Sequence, residues 1–178
     1  YEVLPPVLSI PSVPTDLVIS EITSSSFNLN WIAPVDNGGS PITNYSVELS
    51  TDSGNSWANV KADVSPSTQL VSQLKLPGVT YMVRIASVNS VGLSDYLFGS
   101  VTTLLAAASA PTGLVLKSVT ISTATLGWAA PANSGGSVVI NYVVEVSSDA
   151  GLSWSVVPHS TTTTLGIVVS SLVPAKAY

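Results

Sequence analysis

The amino-acid sequence predicts an all-β protein that consists of tandem antiparallel β-sandwiches. The first observation is an internal repeat: residues 14–81 align with residues 111–178 without a gap, and 26 of the 68 aligned positions are identical. The second is a period of two in the apolar residues, as in Phe27-Asn28-Leu29-Asn30-Trp31, which is typical of a strand with one buried face. A repeat of this length indicates an array of one module rather than a single large domain.

The predicted strands follow one another at short intervals along each repeat. The alternation seen at 27–31 returns at 45–49 and at 81–85. Segments rich in Pro, Gly, Asn or Asp separate these strands at 34–41, 52–55 and 77–78, and such segments are typical of turns. No segment has the period of a helix. Six or seven short strands per repeat, with a turn about every ten residues, predict two sheets packed face to face.

Composition excludes several classes of function. Only 8% of the residues are charged, the net charge is −5, and there is no cysteine. The charges are scattered, which argues against a nucleic-acid or anionic-membrane partner. No apolar run reaches the roughly 20 residues that span a bilayer, and no charged-then-apolar leader begins at Tyr1. We therefore expect no nucleic acid and no membrane insertion, and a repeat of this size can bury its own core without disulfides.

Several motifs occupy equivalent positions in the two repeats. They are an opening proline (Pro14, Pro111), a Trp followed by Ala-Pro (Trp31, Trp128), and a Gly-Gly-Ser loop that leads into Asn-Tyr (44–45, 141–142). The first repeat adds Leu-Pro-Gly-Val-Thr-Tyr at 76–81 and Val-Asn-Ser-Val-Gly-Leu-Ser at 88–94. As a set these motifs resemble the fibronectin type III family, and the resemblance implies an immunoglobulin-like sandwich.

A further repeated motif narrows the resemblance. Ser-x-Asp-x-Gly-x-Ser-Trp, at 50–57 and 147–154, is similar to modules of large bacterial secreted or surface proteins. Titin-like muscle modules share the Gly-Gly-Ser-Pro-Ile loop at 38–42, but they are rich in Lys and Glu and this chain is not.

The repeat boundaries predict the domain organisation. Residues 1–12 are expected to be the last strand and linker of a preceding module, 13–104 a fibronectin type III domain, and 105–110 a linker. Residues 111–178 align with a second such domain that lacks its last two strands. We expect the native polypeptide to continue with sequence like 82–103. The alternative is that another chain supplies a strand such as 2–10 by strand addition.

The equivalent apolar positions predict the core of each module. Its aromatic members are Trp31, Tyr45, Tyr81, Trp128 and Tyr142. Its aliphatic members are expected to be Leu17, Leu29, Val47, Val71 and Val83 in the first repeat, and Leu114, Leu126, Val144 and Val168 in the second.

Candidate catalytic and metal-binding residues are few. His159 is the single histidine and lies in a Ser/Thr-rich stretch without a partner base or acid, so the chain is not expected to be an enzyme. Asp52 and Asp149 fall in equivalent turns, where an aspartate commonly caps its own backbone. A calcium site at these two residues or at Asp36 is the alternative, although each loop offers only one carboxylate. No cofactor is expected.

Two tryptophans are candidates for ligand binding. Trp57 and Trp154 are either edge residues that cover the core or platforms on which a sugar ring stacks.

Two classes of function remain. The favoured one is a structural or adhesive spacer repeat of a large extracellular protein or filament, secreted or at the cell surface, whose partners are the adjacent modules. The alternative is an accessory carbohydrate-binding region of a secreted enzyme, and a virion structural protein is a third possibility. Few charges and a mean hydropathy of +0.48 also predict self-association.

Overall fold

The computed structural model describes residues 7–60, 68–72 and 75–178, and these form twelve β-strands and no helix. The chain divides into two compact units, Tyr1–Ala106 and Ala107–Tyr178, here called the first and second unit. The strands of the first unit are β1 (Thr15–Ser20), β2 (Phe27–Ile32), β3 (Asn44–Ser50), β4 (Ala58–Asn59), β5 (Gln69–Ser72), β6 (Thr80–Val88) and β7 (Leu97–Thr102). Those of the second are β8 (Thr112–Val119), β9 (Ala124–Ala129), β10 (Glu145–Val146), β11 (Ser155–Val156) and β12 (Gly166–Val169).

The first unit is a sandwich of two antiparallel sheets. One sheet has the order β1-β2-β5 and the other the order β4-β3-β6-β7. Tyr45, Val47 and Leu49 on β3 and Tyr81, Val83 and Ile85 on β6 alternate with polar neighbours, and all six are buried. The period of two read from the sequence thus places one face of each strand against the opposite sheet.

Aromatic contacts tie the two sheets of this unit together. Trp31 on β2 meets Tyr45 on β3 edge-on, with ring centres 5.3 Å apart, and Phe27 meets Tyr81 at 5.8 Å. All four side chains are at most 6% exposed. Pairs of this geometry add about 0.5–1.5 kcal/mol beyond the area they bury.

The tyrosine at the start of β6 also closes the turn before it. Its hydroxyl accepts a hydrogen bond from the backbone N–H of Leu76 at 3.0 Å. Thr103 completes the turn, because its hydroxyl donates to the carbonyl of Leu76 at 2.6 Å and accepts the N–H of Val79 at 3.1 Å. In the second unit the hydroxyl of Tyr178 accepts the N–H of Val173 at 3.0 Å in the equivalent way.

The second unit contains a three-stranded sheet of order β12-β9-β8 and a two-stranded sheet, β10-β11. Trp128 and Tyr142 repeat the edge-on contact of the first unit at 5.4 Å. All eight residues of β8 are exposed, among them Leu114 and Leu116. In the first unit the counterpart of Leu114 is Leu17, which packs beside Gly99 of β7. Within 111–178 no described strand corresponds to β6 or β7.

Three aliphatic core predictions are wrong. Val71 and Val168 are 55% and 56% exposed, and Leu114 is 69% exposed. Strand register explains the first two: Val71 lies opposite Asn28 on the outer face, and Val168 lies opposite Thr125. Residues that are directly paired on neighbouring strands point to the same face of the sheet. A shift of one residue along the strand therefore exchanges the inward and outward side chains. The buried positions of β5 and β12 are those flanking these two valines.

The same register shows which residues next to Val71 and Val168 point inward. Leu70 lies opposite the buried Leu29 and packs against the core, and Ile167 lies opposite Leu126. Leu114 is exposed for a different reason, because no described strand covers that face of β8.

Removal of Trp31 tests the role of the aromatic contact between the sheets. We expect Trp31→Ala to destabilise the first unit by about 3–5 kcal/mol, because it leaves a cavity between the sheets. Thermal or urea unfolding followed by tyrosine and tryptophan fluorescence measures this loss. Val35→Ala is the control, since Val35 is 95% exposed and its truncation should change stability by about 0.5 kcal/mol or less. Equal midpoints for the two variants would contradict the assignment.

Candidate functional site

The repeated Ser-x-Asp-x-Gly-x-Ser-Trp motif forms a turn that satisfies its own polar groups. The Asp52 carboxylate accepts hydrogen bonds from the Ser50 hydroxyl at 2.6 Å, the Ser56 N–H at 2.9 Å and the Ser56 hydroxyl at 2.5 Å. The Ser50 hydroxyl in turn accepts the N–H of Gly54 at 2.9 Å. Gly54 has φ +87°, a left-handed conformation that favours glycine. The motif is therefore a structural turn.

The second repeat builds the same turn with the same bonds. Asp149 accepts from the Ser147 hydroxyl at 2.7 Å, the Ser153 N–H at 2.9 Å and the Ser153 hydroxyl at 2.5 Å. Gly151 donates to the Ser147 hydroxyl at 2.8 Å and again has φ +87°. Because two copies reach the same geometry, the eight residues determine this turn locally.

These hydrogen bonds control the charge of both aspartates. The bond from the Ser50 hydroxyl, followed by those from Ser56, lowers the pKa of Asp52 from 3.8 to about 2. The bonds from the Ser153 hydroxyl and N–H, followed by that from Ser147, lower the pKa of Asp149 to about 2. Donors aimed at a carboxylate favour its charged form. Both groups are thus ionised throughout the physiological range.

The three aspartates considered for calcium lie in separate turns. Asp36 accepts the N–H of Gly38 at 2.8 Å, in a loop distinct from the turns of Asp52 and Asp149. The described residues contain no group of three or more His, Cys, Asp or Glu side chains that could hold a metal ion. Each carboxylate serves the hydrogen bonds of its own turn.

The single histidine is placed in a loop. The Nδ1 atom of His159 donates to the carbonyl of the next residue, Ser160, at 2.8 Å. That bond holds the ring against its own backbone, an arrangement that differs from the serine–histidine–carboxylate geometry of a nucleophilic site.

Aromatic and charged side chains cluster on the outer face of the β4-β3-β6-β7 sheet. The Cζ atom of Arg84 lies 4.4 Å from the ring centre of Trp57 and 4.2 Å from that of Tyr96. The Glu48 carboxylate pairs with the same guanidinium at 2.5 Å. Phe98 completes the cluster, with its ring centre 6.1 Å from that of Trp57. Cation–π stacking and the ion pair together fix Arg84 in place.

The two candidate tryptophans have different surroundings. Trp57 donates its indole N–H to the Gly54 carbonyl at 3.0 Å and is partly covered by the aromatic cluster. Trp154 is 61% exposed and lines a groove of about 750 Å³ in the second unit. Leu114, Leu116 and Val169 line the same groove. Both tryptophans were predicted as candidates from the sequence, and Arg84 was not. The signal for Arg84 was a single arginine at a polar position of an alternating strand.

Residues 7–12, here called the strap, run along the loop between β2 and β3. The N–H of Ser9 donates to the Gly38 carbonyl at 2.9 Å, and the N–H of Ser12 donates to the Asp36 carbonyl at 2.9 Å. Gly38 has φ +68°, and a Cβ atom there would lie 2.1 Å from the Ser9 carbonyl oxygen. Glycine is therefore required at position 38 for the strap to lie this close.

Asn89 fastens the strap to the module. Its side-chain amide donates to the Ser9 carbonyl at 2.7 Å and to the Asn37 carbonyl at 2.8 Å. Its side-chain oxygen accepts the N–H groups of Val91 at 2.8 Å and Gly92 at 3.1 Å. Asn89 is only 5% exposed, so one buried amide joins the strap, the β2–β3 loop and the β6–β7 loop. The sequence motif at 88–94 contains Asn89 but does not indicate this role.

Part of this arrangement recurs before the second repeat. The N–H of Ser109 donates to the Asn133 carbonyl at 2.9 Å, and the N–H of Asn133 donates to the Ser109 hydroxyl at 3.2 Å. Ser12 and Asp36 exchange the equivalent two bonds in the first unit. Residues that precede each repeat therefore bond to the module that follows them. The predicted domain boundaries at 12, 104 and 110 stay predictions.

A known protein family has the same architecture as the first unit. The sequence profile of the fibronectin type III domain matches residues 12–100, which is half of the chain. The chain belongs to this family. The match and the antiparallel all-β sheets confirm the predicted fibronectin type III, immunoglobulin-like fold, and the match covers the first repeat.

The chain is similar to short parts of much longer proteins. Chicken fast-type myosin-binding protein C is 31% identical over 149 residues, which is 83% of this chain and 13% of that protein. Drosophila titin is 28% identical over 177 residues, which is 97% of this chain and 1% of that protein. The chain thus spans a small part of the relatives it matches. These relatives are consistent with a non-catalytic structural module.

A solved structure shows the same fold. The FN1–FN3 domains of chicken CNTN1 superpose with a TM-score of 0.61 at 20% identity, over 91% of this chain and 56% of that one. In the described part of the chain, no helix is long and apolar enough to cross a membrane.

The lowered pKa values of the two turn aspartates predict an acid-sensitive fold. Both pKa values are lower in the folded state, at about 2, than the ordinary 3.8. Their contribution to stability is therefore complete above about pH 4 and is lost as the pH falls through 2. We expect the melting temperature of the native chain to fall more steeply over this window than that of the double variant Asp52→Asn/Asp149→Asn.

The control for this comparison is Asp95→Asn, because Asp95 is an exposed acid outside both turns. It should follow the native pH profile. If the double variant also follows the native profile from pH 4 to pH 2, the turns do not hold their aspartates in the charged form.

Proposed function

We propose that this chain is a non-catalytic spacer segment of a larger modular protein, in which it positions neighbouring modules. The supporting observation is the way each repeat binds the residues that precede it. Ser9 and Ser12 bond to the first repeat and Ser109 bonds to the second. A module that holds its own entry segment restricts how the chain can bend there, which is the mechanical requirement of a spacer.

The bonds at the end of the first repeat support the same proposal. The Leu104 N–H donates to the Thr23 carbonyl at 3.0 Å, and its carbonyl accepts the N–H of Gly78 at 3.2 Å. Leu104 bonds to the first repeat and Ser109 to the second, so four residues, 105–108, lie between the two bonded positions. A chain this short, without glycine, favours a restricted joint.

Asn89→Ala tests the spacer proposal at its most specific contact. The change removes both side-chain donors and leaves the Ser9 and Asn37 carbonyls without them, which costs about 1–3 kcal/mol. We expect faster amide hydrogen exchange at Ser9 and Ser12, measured by NMR, while the amides of β3 and β6 stay protected.

The matched control is Ser90→Ala. It deletes the single bond between the Ser90 and Ser40 hydroxyls, 2.8 Å apart, in the same loop without touching the strap. Unchanged exchange at Ser9 in Asn89→Ala would show that Asn89 does not hold the strap, and the spacer proposal would lose its main support.

We further propose that the parent protein is secreted or displayed at a cell surface and is of the bacterial multi-modular type. The low charge fraction of 8% and the repeated Ser-x-Asp-x-Gly-x-Ser-Trp turn support this. A protease that cannot enter cells tests this location, when it is added to intact producing cells and to their medium.

Fragments that carry residues 7–178 should be released by the protease before the cells are lysed. Release only after lysis would contradict an extracellular site.

Carbohydrate binding is the second candidate function, and the exposure of Trp154 favours it. An indole that is 61% exposed beside a groove can stack on the apolar face of a sugar ring. Affinity electrophoresis in gels containing neutral polysaccharides separates the two functions. A mobility shift abolished by Trp154→Ala supports binding, and equal mobility in every polysaccharide supports the spacer alone.

A further inference from the structure

Most edge strands of the two units carry a feature that prevents pairing with another chain. β4, β10 and β11 have two residues each, and β5 and β12 have four. β1 has a register shift between Thr15 and Val18, where Asp16 has φ 54°. β8 has two register shifts and carries Lys117. Short length, bulges and charges are the devices that protect sheet edges.

β7 has none of these protective features. It is a six-residue edge strand, Leu-Phe-Gly-Ser-Val-Thr, without charge or proline, and its register with β6 is continuous from Leu97 to Thr102. A regular, uncharged edge of this kind is a template for strand addition.

The hydrogen-bond pattern shows which groups of β7 face outward. Thr103 donates to the Val79 carbonyl, so this pair is hydrogen-bonded, and bonded pairs recur at every second residue of an antiparallel ladder. Val101, Gly99 and Leu97 therefore bond to β6. Phe98, Ser100 and Thr102 direct their N–H and carbonyl groups away from β6. Among the described residues none of these three has a backbone bond outside the strand pairing.

We propose that β7 pairs antiparallel with β7 of a second copy of this chain, about a twofold axis at Ser100. In this register Ser100 faces Ser100 of the second copy, and Phe98 faces its Thr102. Three donors and three acceptors from each copy then form six hydrogen bonds, so the edge is complementary to itself, as a twofold interface requires. The two four-stranded sheets become one sheet of eight strands.

Side chains on the outer face support the second copy as the occupant. Phe98 is 57% exposed, and the pairing places it over Thr102 of the other copy, where an aromatic ring packs well against a β-branched residue. The one arginine of the cluster, Arg84, is already paired with Glu48, so no net charge opposes contact. Continuing the same register, Asp95 faces the uncharged Leu105 of the second copy. No like charges meet along the strand.

This proposal deepens the spacer function, since it names a second copy as the lateral partner of the array. The β7 pairing does not involve the hydrogen bonds of Asn89 to the strap, so the amide-exchange test of the spacer function and the association tests below can fail independently. A single strand pair buries a small area, and we expect a weak dimer with a dissociation constant of about 10 µM to 1 mM.

Sedimentation equilibrium of the full chain measures the association directly. The native protein should rise from 18.2 kDa towards twice that mass as the concentration approaches the millimolar range. Ser100→Lys places two like charges opposite each other on the axis and should abolish this rise. Val18→Lys adds the same charge on exposed β1 and should leave it unchanged.

Three results would overturn the proposal. They are a native chain that stays monomeric up to millimolar concentration, a Ser100→Lys variant that dimerises as the native chain does, and loss of the dimer in both lysine variants. Melting temperatures show that each lysine variant is folded before its mass is interpreted.

Cysteine crosslinking identifies the residues that meet. The native chain has no cysteine, so Ser100→Cys introduces the single thiol. Residues in a bonded antiparallel pair have Cα atoms about 5.5 Å apart, a separation that a disulfide spans. On oxidation Ser100→Cys should form a covalent dimer roughly tenfold faster than Val18→Cys, because pairing raises the local thiol concentration. Equal rates for the two variants would contradict the β7 pairing.

Discussion

The edge-on contact between a tryptophan and a tyrosine is the interaction on which both units depend. Trp31 and Tyr45 bridge the two sheets of the first unit with ring centres 5.3 Å apart. In the second unit Trp128 on β9 meets Tyr142, in the segment before β10, at 5.4 Å. In the first unit the contact lies on the inner faces of β2 and β3, where the apolar pattern also buries Leu29, Val47 and Leu49. It recurs although the second unit has fewer strands to cover it, which shows how locally it is determined.

Two aspartates that first suggested chemistry, and an asparagine that did not, serve the fold. Asp52 and Asp149 use their oxygens to close a turn, and Asn89 uses both its donors and its acceptor to hold the strap. Asn89 is buried, and a buried polar group is stable only when its hydrogen bonds are made. Asp52 and Asp149 are exposed, and the donors of their own turns hold their carboxylates. The surface features proposed above for binding are the outward edge of β7 and the indole of Trp154, which is 61% exposed.

The core residues show which positions could be predicted from the sequence. The period of two identified Leu29, Val47 and Val83 as core because each lies in a long alternating run. It failed at Val71 and Val168, since β5 and β12 have only four residues and too few alternations to fix the phase. The cluster around Arg84 was missed because its members come from three strands and two loops that meet only in the folded sheet.

The sequence alone determined the repeat, the all-β class and the two Ser-x-Asp-x-Gly-x-Ser-Trp turns, because these depend on residues that are close along the chain or on matching two copies of one pattern. The tertiary structure alone decided that Asn89 reaches back 80 residues to Ser9 and that β7 is an unprotected edge. Such facts depend on which strands become neighbours. Backbone hydrogen bonds between strands carry no side-chain signature that the sequence displays.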